Sequence, residues 1–190
     1  MTRQLNPRWL ALGFSAACLC GVAGALSIAD GPFRLIGAGL ACWLSWASYV
    51  DARRYLLLDI YTLPLALAGL GLAAVGLGPS LISAAGGAAL GYGVFWAVSA
   101  LYRRLRGVDG LGLGDAKLMC AAGAWCGALQ LPFVVLLGSV SALAAVTLFA
   151  LSGAVVTGSL KLPFGPFLSF GFFVTWMVFV AADHPGFTAT

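Results

Sequence analysis

All six acidic residues of this 190-residue chain are aspartates, and two of them, Asp51 and Asp115, stand at the edges of long apolar runs. An ionised carboxylate at the centre of a bilayer-spanning helix costs roughly 2.5–3.5 kcal/mol on insertion scales, so an acid placed near one faces a polar cavity, a partner or a reaction. Two carboxylates at one partly dehydrated site can hold a water between them, one ionised as general base and the other protonated as general acid. That arrangement hydrolyses peptide bonds. Like charges so close do not both ionise, and the pair titrates as a unit. Asp51 follows the carboxyl end of a predicted helix and Asp115 precedes the amino end of another. The helix macrodipole therefore predicts Asp115 as the ionised member and Asp51 as the protonated one.

Asp115 sits in the run GLGLGDAKLM, in which Gly110, Gly112 and Gly114 leave backbone bare beside the carboxylate. Bare backbone suits the close approach of a second extended chain and permits turns closed to other residues. The plain alternative is a glycine-rich loop ending at an aspartate N-cap. Lys117 either tunes the pair electrostatically or snorkels its ammonium to the interface. Asp59 and Asp109 are candidates for attracting basic residues of a substrate, although the simpler expectation is that they balance Arg53, Arg54 and Arg106.

The elements that must carry these groups are apolar. Hydrophobic residues make up 62% of the chain and charged residues 8%, with a mean hydropathy of +1.02, far outside the soluble range. The expectation is a single all-α domain over residues 1–190, a polytopic membrane bundle of about six or seven transmembrane helices. Apolar segments fall at about 9–29, 33–50, 60–78, 80–101, 115–130, 132–151 and 164–182. The first ends in Ala-Leu-Ser-Ile-Ala after Arg3 and Arg8, in the manner of a signal peptide cut after Ala29. Its run is longer than a usual signal core, so a retained helix is expected.

With a cytoplasmic N-terminus, Arg3, Arg8, Arg53, Arg54, Arg103, Arg104, Arg106 and Lys161 all fall on the cytoplasmic side and only Arg34 falls outside. The same crossings place Asp51 and Asp115 on one face, at the cytoplasmic surface of the membrane. The net charge of +4 thus reads as topology, and no basic run is long enough to suggest nucleic acid. Cys18, Cys20, Cys42, Cys120 and Cys126 lie in or beside apolar segments without a Cys-x-x-Cys pair, which argues against zinc and against a disulfide framework. The acid–base chemistry itself needs no cofactor.

The run from Gly110 to Gly127, GLGLGDAKLMCAAGAWCG, resembles the second aspartate motif of bacterial type IV prepilin peptidases, members of the Gly-x-Gly-Asp class of membrane aspartic proteases. The likeness takes in Asp115, Lys117, Leu118, Gly123, Ala124, Trp125 and Gly127. Upstream, Asp51, then Leu57-Leu58-Asp59, then Thr62-Leu63-Pro64-Leu65 resemble the family's first aspartate motif, with Leu58 where a proline is usual. Near the end, Leu162-Pro163-Phe164-Gly165-Pro166-Phe167-Leu168 is similar to the family's Pro-Phe-Gly-Pro-Phe-Leu segment. The resemblance implies Asp51 and Asp115 as the catalytic pair, with Gly112 and Gly114 shaping the approach. Its implied substrate is a prepilin or pseudopilin, in pilus assembly or type II secretion, with a short basic leader cut between a Gly and usually a Phe. The family's N-terminal insertion, with paired Cys-x-x-Cys motifs and a segment associated with N-methylation, has no counterpart in these 190 residues, so the resemblance supports the peptidase and not the methylating activity.

A different class of function would use the same acids. A small proton- or cation-coupled transporter with an aspartate pair predicts acids toward the midplane and repeat symmetry between halves. Both acids fall on one boundary and the halves do not resemble each other. A catalytically silent scaffold of the same fold would lack one aspartate, and both are present. The presenilin-like branch shares Gly-Leu-Gly-Asp, but this chain carries Tyr49-Val50-Asp51 in place of a Tyr-Asp pair and has no Pro-Ala-Leu.

Overall fold

The structure is a computed structural model that describes residues 20–24, 31–54, 59–107, 112–151 and 164–181. Every regular element among them is helical. Six α-helices follow in order: α1 (Pro32–Arg54), α2 (Asp59–Ala74), α3 (Leu81–Arg106), α4 (Leu113–Cys126), α5 (Leu131–Leu151) and α6 (Gly165–Thr175). A 3₁₀ turn at Ala128–Gln130 leads into α5, and a π-helical stretch at Trp176–Ala181 extends α6. These are the second to seventh expected apolar segments. Of the first, only residues 20–24 are described and they are helical, so retention or cleavage after Ala29 concerns residues outside the described set.

Local chemistry sets the ends. Helix α2 stops in a Schellman turn: Gly76 takes φ +76°, its N–H donates to the Ala73 carbonyl at 3.2 Å, and the Leu77 N–H donates to the Leu72 carbonyl at 2.9 Å. Helix α3 starts at Ser80, whose hydroxyl accepts the Ser83 N–H at 3.3 Å. It ends at Gly107, φ +69°, after a last turn carrying Arg103, Arg104 and Arg106, where positive charge meets the negative end of the macrodipole.

The core is built around α4. Nine of its 14 residues are buried, including Ala116, Ala121, Ala122 and Gly123, and it packs most extensively on α3 and α2 and also touches α5 and α6. Small side chains on all sides make this possible. At 1.5 Å per residue, α4 is about 21 Å long, too short to cross a hydrocarbon core of about 30 Å alone. Its contact with α3 is backbone on backbone: a Cβ added at Gly87 would stand 2.5 Å from the Gly123 carbonyl oxygen, and one at Gly91 would strike the Met119 carbonyl. Trp125 closes the other side. Its indole N–H donates to the Leu65 carbonyl of α2 at 2.7 Å, and its ring meets Phe172 and Trp176 edge-on at 6.3 and 6.1 Å. Trp125 is therefore a packing residue.

The outside of the bundle is apolar as well. Residues 81–106 and 128–148 are long and apolar enough to cross a membrane, and only 22% and 17% of their most apolar windows are buried. Core helices of a water-soluble protein would hide such faces, and a solvated surface this apolar would associate.

Candidate active site

The two sequence-predicted acids arrive from opposite directions. Asp51 lies in the last turn of α1, just after the apolar run ending at Val50, and is 7% exposed. Asp115 lies in the first turn of α4 and is partly buried. The chain thus runs toward the site along α1 and away from it along α4, and the two carboxylates are close enough for the charge of Asp51 to act on Asp115. Since two like charges at close range resist joint ionisation, the pair is suited to sharing one proton.

Helix α4 begins at Gly112, not at the acid. Gly112 is the N-cap, with φ −66° and ψ 133° and no side-chain cap, and Asp115 is the third helical residue, its N–H donating to the Gly112 carbonyl at 3.1 Å. The aspartate N-cap is thereby replaced by an acid inside the first turn, where its charge meets the positive end of the α4 macrodipole. The Gly112 backbone lies in a region open to any residue, and an added Cβ would meet the Asp115 Oδ2 at an ordinary 3.8 Å. What glycine supplies at 112 is exposed, unshielded main chain beside the carboxylate rather than an unusual turn.

The third motif contributes a contact that the sequence did not reveal. Helix α6 starts at Gly165, whose main chain lies beside the Asp51 carboxylate. Asp51 therefore sits at the carboxyl end of α1 and also at the amino end of α6. The second placement favours negative charge and opposes the first. The Leu-Pro-Phe-Gly-Pro run was legible as a helix start. Its partner was not, because backbone leaves no mark in side-chain types.

The remaining candidates are placed unevenly. Lys117 is half-buried in α4 two residues beyond Asp115. Asp59 opens α2, and its side chain is outside the described set, as is the whole of Asp109. Thr62, on the first turn of α2, is 1% exposed, and its hydroxyl has no hydrogen-bond partner. An open apolar groove of about 630 Å³ runs between α1 and α2, lined by Leu40, Trp43, Pro64, Ala68 and Trp125 among others. Trp43 is eight residues from Asp51 along α1, about 12 Å by helical rise, so the groove lies beside the acids rather than around them.

Residues 38–148 match the type IV leader peptidase family, a span that includes both aspartates. The chain is 40% identical over 161 residues to a prepilin leader peptidase/N-methyltransferase of Burkholderia pseudomallei, covering 85% of this chain and 49% of that protein. It is 39% identical over 159 residues to the Escherichia coli K12 protein of the same description, covering 80% of this chain and 68% of that one. It is also 40% identical over 147 residues to the leader peptidase HopD of Escherichia coli, covering 76% of this chain and 92% of HopD. The chain spans about half the length of most of the curated relatives it matches, the Burkholderia pseudomallei protein among them. No solved structure matches it. With the family match extending over more than half of its residues and both aspartates inside it, the chain belongs to the type IV leader peptidase family.

Proposed function

We propose that this chain is a membrane aspartic endopeptidase that removes the basic leader from prepilins or pseudopilins, with Asp51 and Asp115 as its catalytic pair. The observation that carries this reading is the meeting of the two acids, one closing α1 and one opening α4, close enough for one charge to act on the other. In the bacterial inner membrane, with the N-terminus in the cytoplasm, both acids lie at the cytoplasmic surface, where a basic leader gives way to an apolar helix. The membrane lipids are the solvent of the outer helical faces.

The pair, carrying one proton between its two members, holds the attacking water. The ionised carboxylate takes a proton from that water as its oxygen adds to the scissile carbonyl carbon. The protonated carboxyl donates to the carbonyl oxygen, giving a neutral tetrahedral diol. Collapse of the diol breaks the C–N bond as a proton passes to the leaving nitrogen, and the pair again carries one proton. The exposed Gly112 main chain offers an unshielded path for an extended substrate, and Gly114 widens that path. Lys117, Asp59 and Asp109 complete the proposed substrate-contacting set.

Cleavage of a prepilin-like substrate in membranes tests this directly, using the intact chain, Asp51→Ala and Asp115→Ala, with product masses recorded. The intact chain is expected to cut after the leader glycine, and each variant to lose at least about 100-fold, the smaller end of what one acid–base group contributes. Equal cutting by all three folded proteins would remove the pair from the chemistry. The product mass also reports whether the new N-terminus carries a methyl group.

A further inference from the structure

Helices α1 and α2 follow one another in the chain but take different partners: α1 packs on α6, and α2 packs on α4 and α3. The gap left between them is the open groove of about 630 Å³, and every residue that lines it is apolar. Leu40, Leu65 and Trp125, all buried, form its floor. Its walls are bare. Gly39 of α1 and Gly71 of α2 are both exposed, and a Cβ added at either would have no atom within 4 Å. Gly39 stands twelve residues before Asp51 and Gly71 twelve after Asp59, so each lies about 18 Å along its helix from the end that reaches the site. Toward that end the Trp43 indole N–H donates to the Tyr61 carbonyl at 3.0 Å and bridges α1 to α2.

In a bilayer an apolar lining by itself does not favour a helix over lipid, but bare glycine on both sides of a slot lets another helix pack closely. The first apolar segment of this chain is not that helix. A Cβ at Gly21 would stand 3.1 Å from the Ala41 Cβ of α1 and 3.5 Å from the Phe173 ring of α6, so the described part of that segment lies against α1 and α6. The charge pattern narrows the partner further. The groove carries no charge along its length, and the acid Asp51 lies beyond its site end. This complements a chain that is uncharged and helical for about three turns and basic just past them.

We propose that the groove between α1 and α2 seats the apolar helix of the substrate while its leader junction is cut. This rests on the peptidase reading of the acids and adds where the uncut chain lies. Packed along α1 over Gly39 and Gly71, the helix ends near Trp43 and passes its first residues to the acids as extended main chain.

Two substrates separate seating from chemistry: a membrane-inserted prepilin, and a short soluble peptide that carries the leader and the residues just past the cut but no apolar helix. Gly39→Leu and Gly71→Leu fill the slot from positions where a Cβ meets nothing, and Gly93→Leu adds the same side chain at an equally open position on α3. Each groove variant is expected to raise KM for the inserted prepilin about tenfold or more, with kcat little changed and cleavage of the peptide unaltered. Gly93→Leu is expected to change neither. The occupant is read directly by p-benzoylphenylalanine at Ala68, which lines the groove. In membranes that hold Asp115→Ala and a tagged prepilin, irradiation is expected to join position 68 to the apolar helix of the prepilin. An adduct with lipid alone, with residues 1–19 of this chain or with a second copy overturns the proposal. An equal rise in KM for both substrates, or a rise for neither, does the same. A folded intact chain that cuts no pilin substrate overturns the peptidase reading instead, and the cross-link at position 68 still reports what fills the groove.

Discussion

At the scale of single residues, the proposed chemistry turns on a proton shared by two carboxylates. Asp51 and Asp115 are coupled by charge, so their titrations belong to the pair. The doubly protonated pair lacks a base, and the doubly ionised pair lacks an acid. Cleavage by the intact chain is therefore expected to rise and then fall with pH, a bell in kcat/KM whose two limbs report the pair. A profile with only one limb across the range in which the protein stays folded would mean that one carboxylate alone takes part. Both acids were legible in the sequence because an aspartate at the edge of an apolar run requires a reason to be there. The approach of the Gly165 main chain to Asp51 was not legible, since backbone leaves no mark in side-chain types. The Trp125 bond to the Leu65 carbonyl escaped for the same reason: the indole is written in the sequence, but its acceptor is backbone.

At the scale of elements, what brings the acids together is how closely α4 can approach its neighbours. Gly87 and Gly91 of α3 face the main chain at Gly123 and Met119 of α4, one helical turn apart on each side. Adjacent Gly86 has nothing within 4 Å of where a Cβ would stand. The two neighbours should thus respond oppositely to the same change. Gly87→Ala places a methyl against backbone that cannot yield and is expected to cost about 1–3 kcal/mol. Gly86→Ala only improves helix propensity and is expected to be neutral or to gain up to about 1 kcal/mol. Thermal unfolding in one detergent compares them, and equal shifts for the two would remove the close α3–α4 contact from the account. The glycine content announced close packing without naming the partners. The second to seventh apolar segments gave the helices and, within a few residues, their ends, as at α5, expected at 132–151 and observed at Leu131–Leu151. The fifth segment was read two residues late at its start, because Leu113 and Gly114 looked like loop when they are the first turn of α4.

At the scale of the whole molecule, the bundle's contacts are concentrated inward on α4 while its outer faces stay apolar, so its solvent enters its stability directly. Leu143, near the middle of α5, is 67% exposed. In water, replacing an exposed leucine that packs against little would change stability by no more than about 0.5 kcal/mol. In a bilayer, the same position lies at hydrocarbon depth, and an aspartate there carries an insertion cost of roughly 2.5–3.5 kcal/mol. Leu143→Asp and Leu143→Ala separate these cases, since both remove the same side chain and only one adds a charge. The expected outcome is that Leu143→Ala accumulates in carbonate-washed membranes like the intact chain, whereas Leu143→Asp is depleted severalfold without a change in specific activity of the protein that does insert. Normal accumulation of Leu143→Asp would mean that this face meets protein or water rather than lipid. The crossings that place Asp51 and Asp115 at one membrane surface would then have to be redrawn from α5 onward. The apolar faces of α3 and α5 are for this reason part of the proposed active site's geometry, because the depth at which they sit would fix the depth at which the two acids meet a substrate.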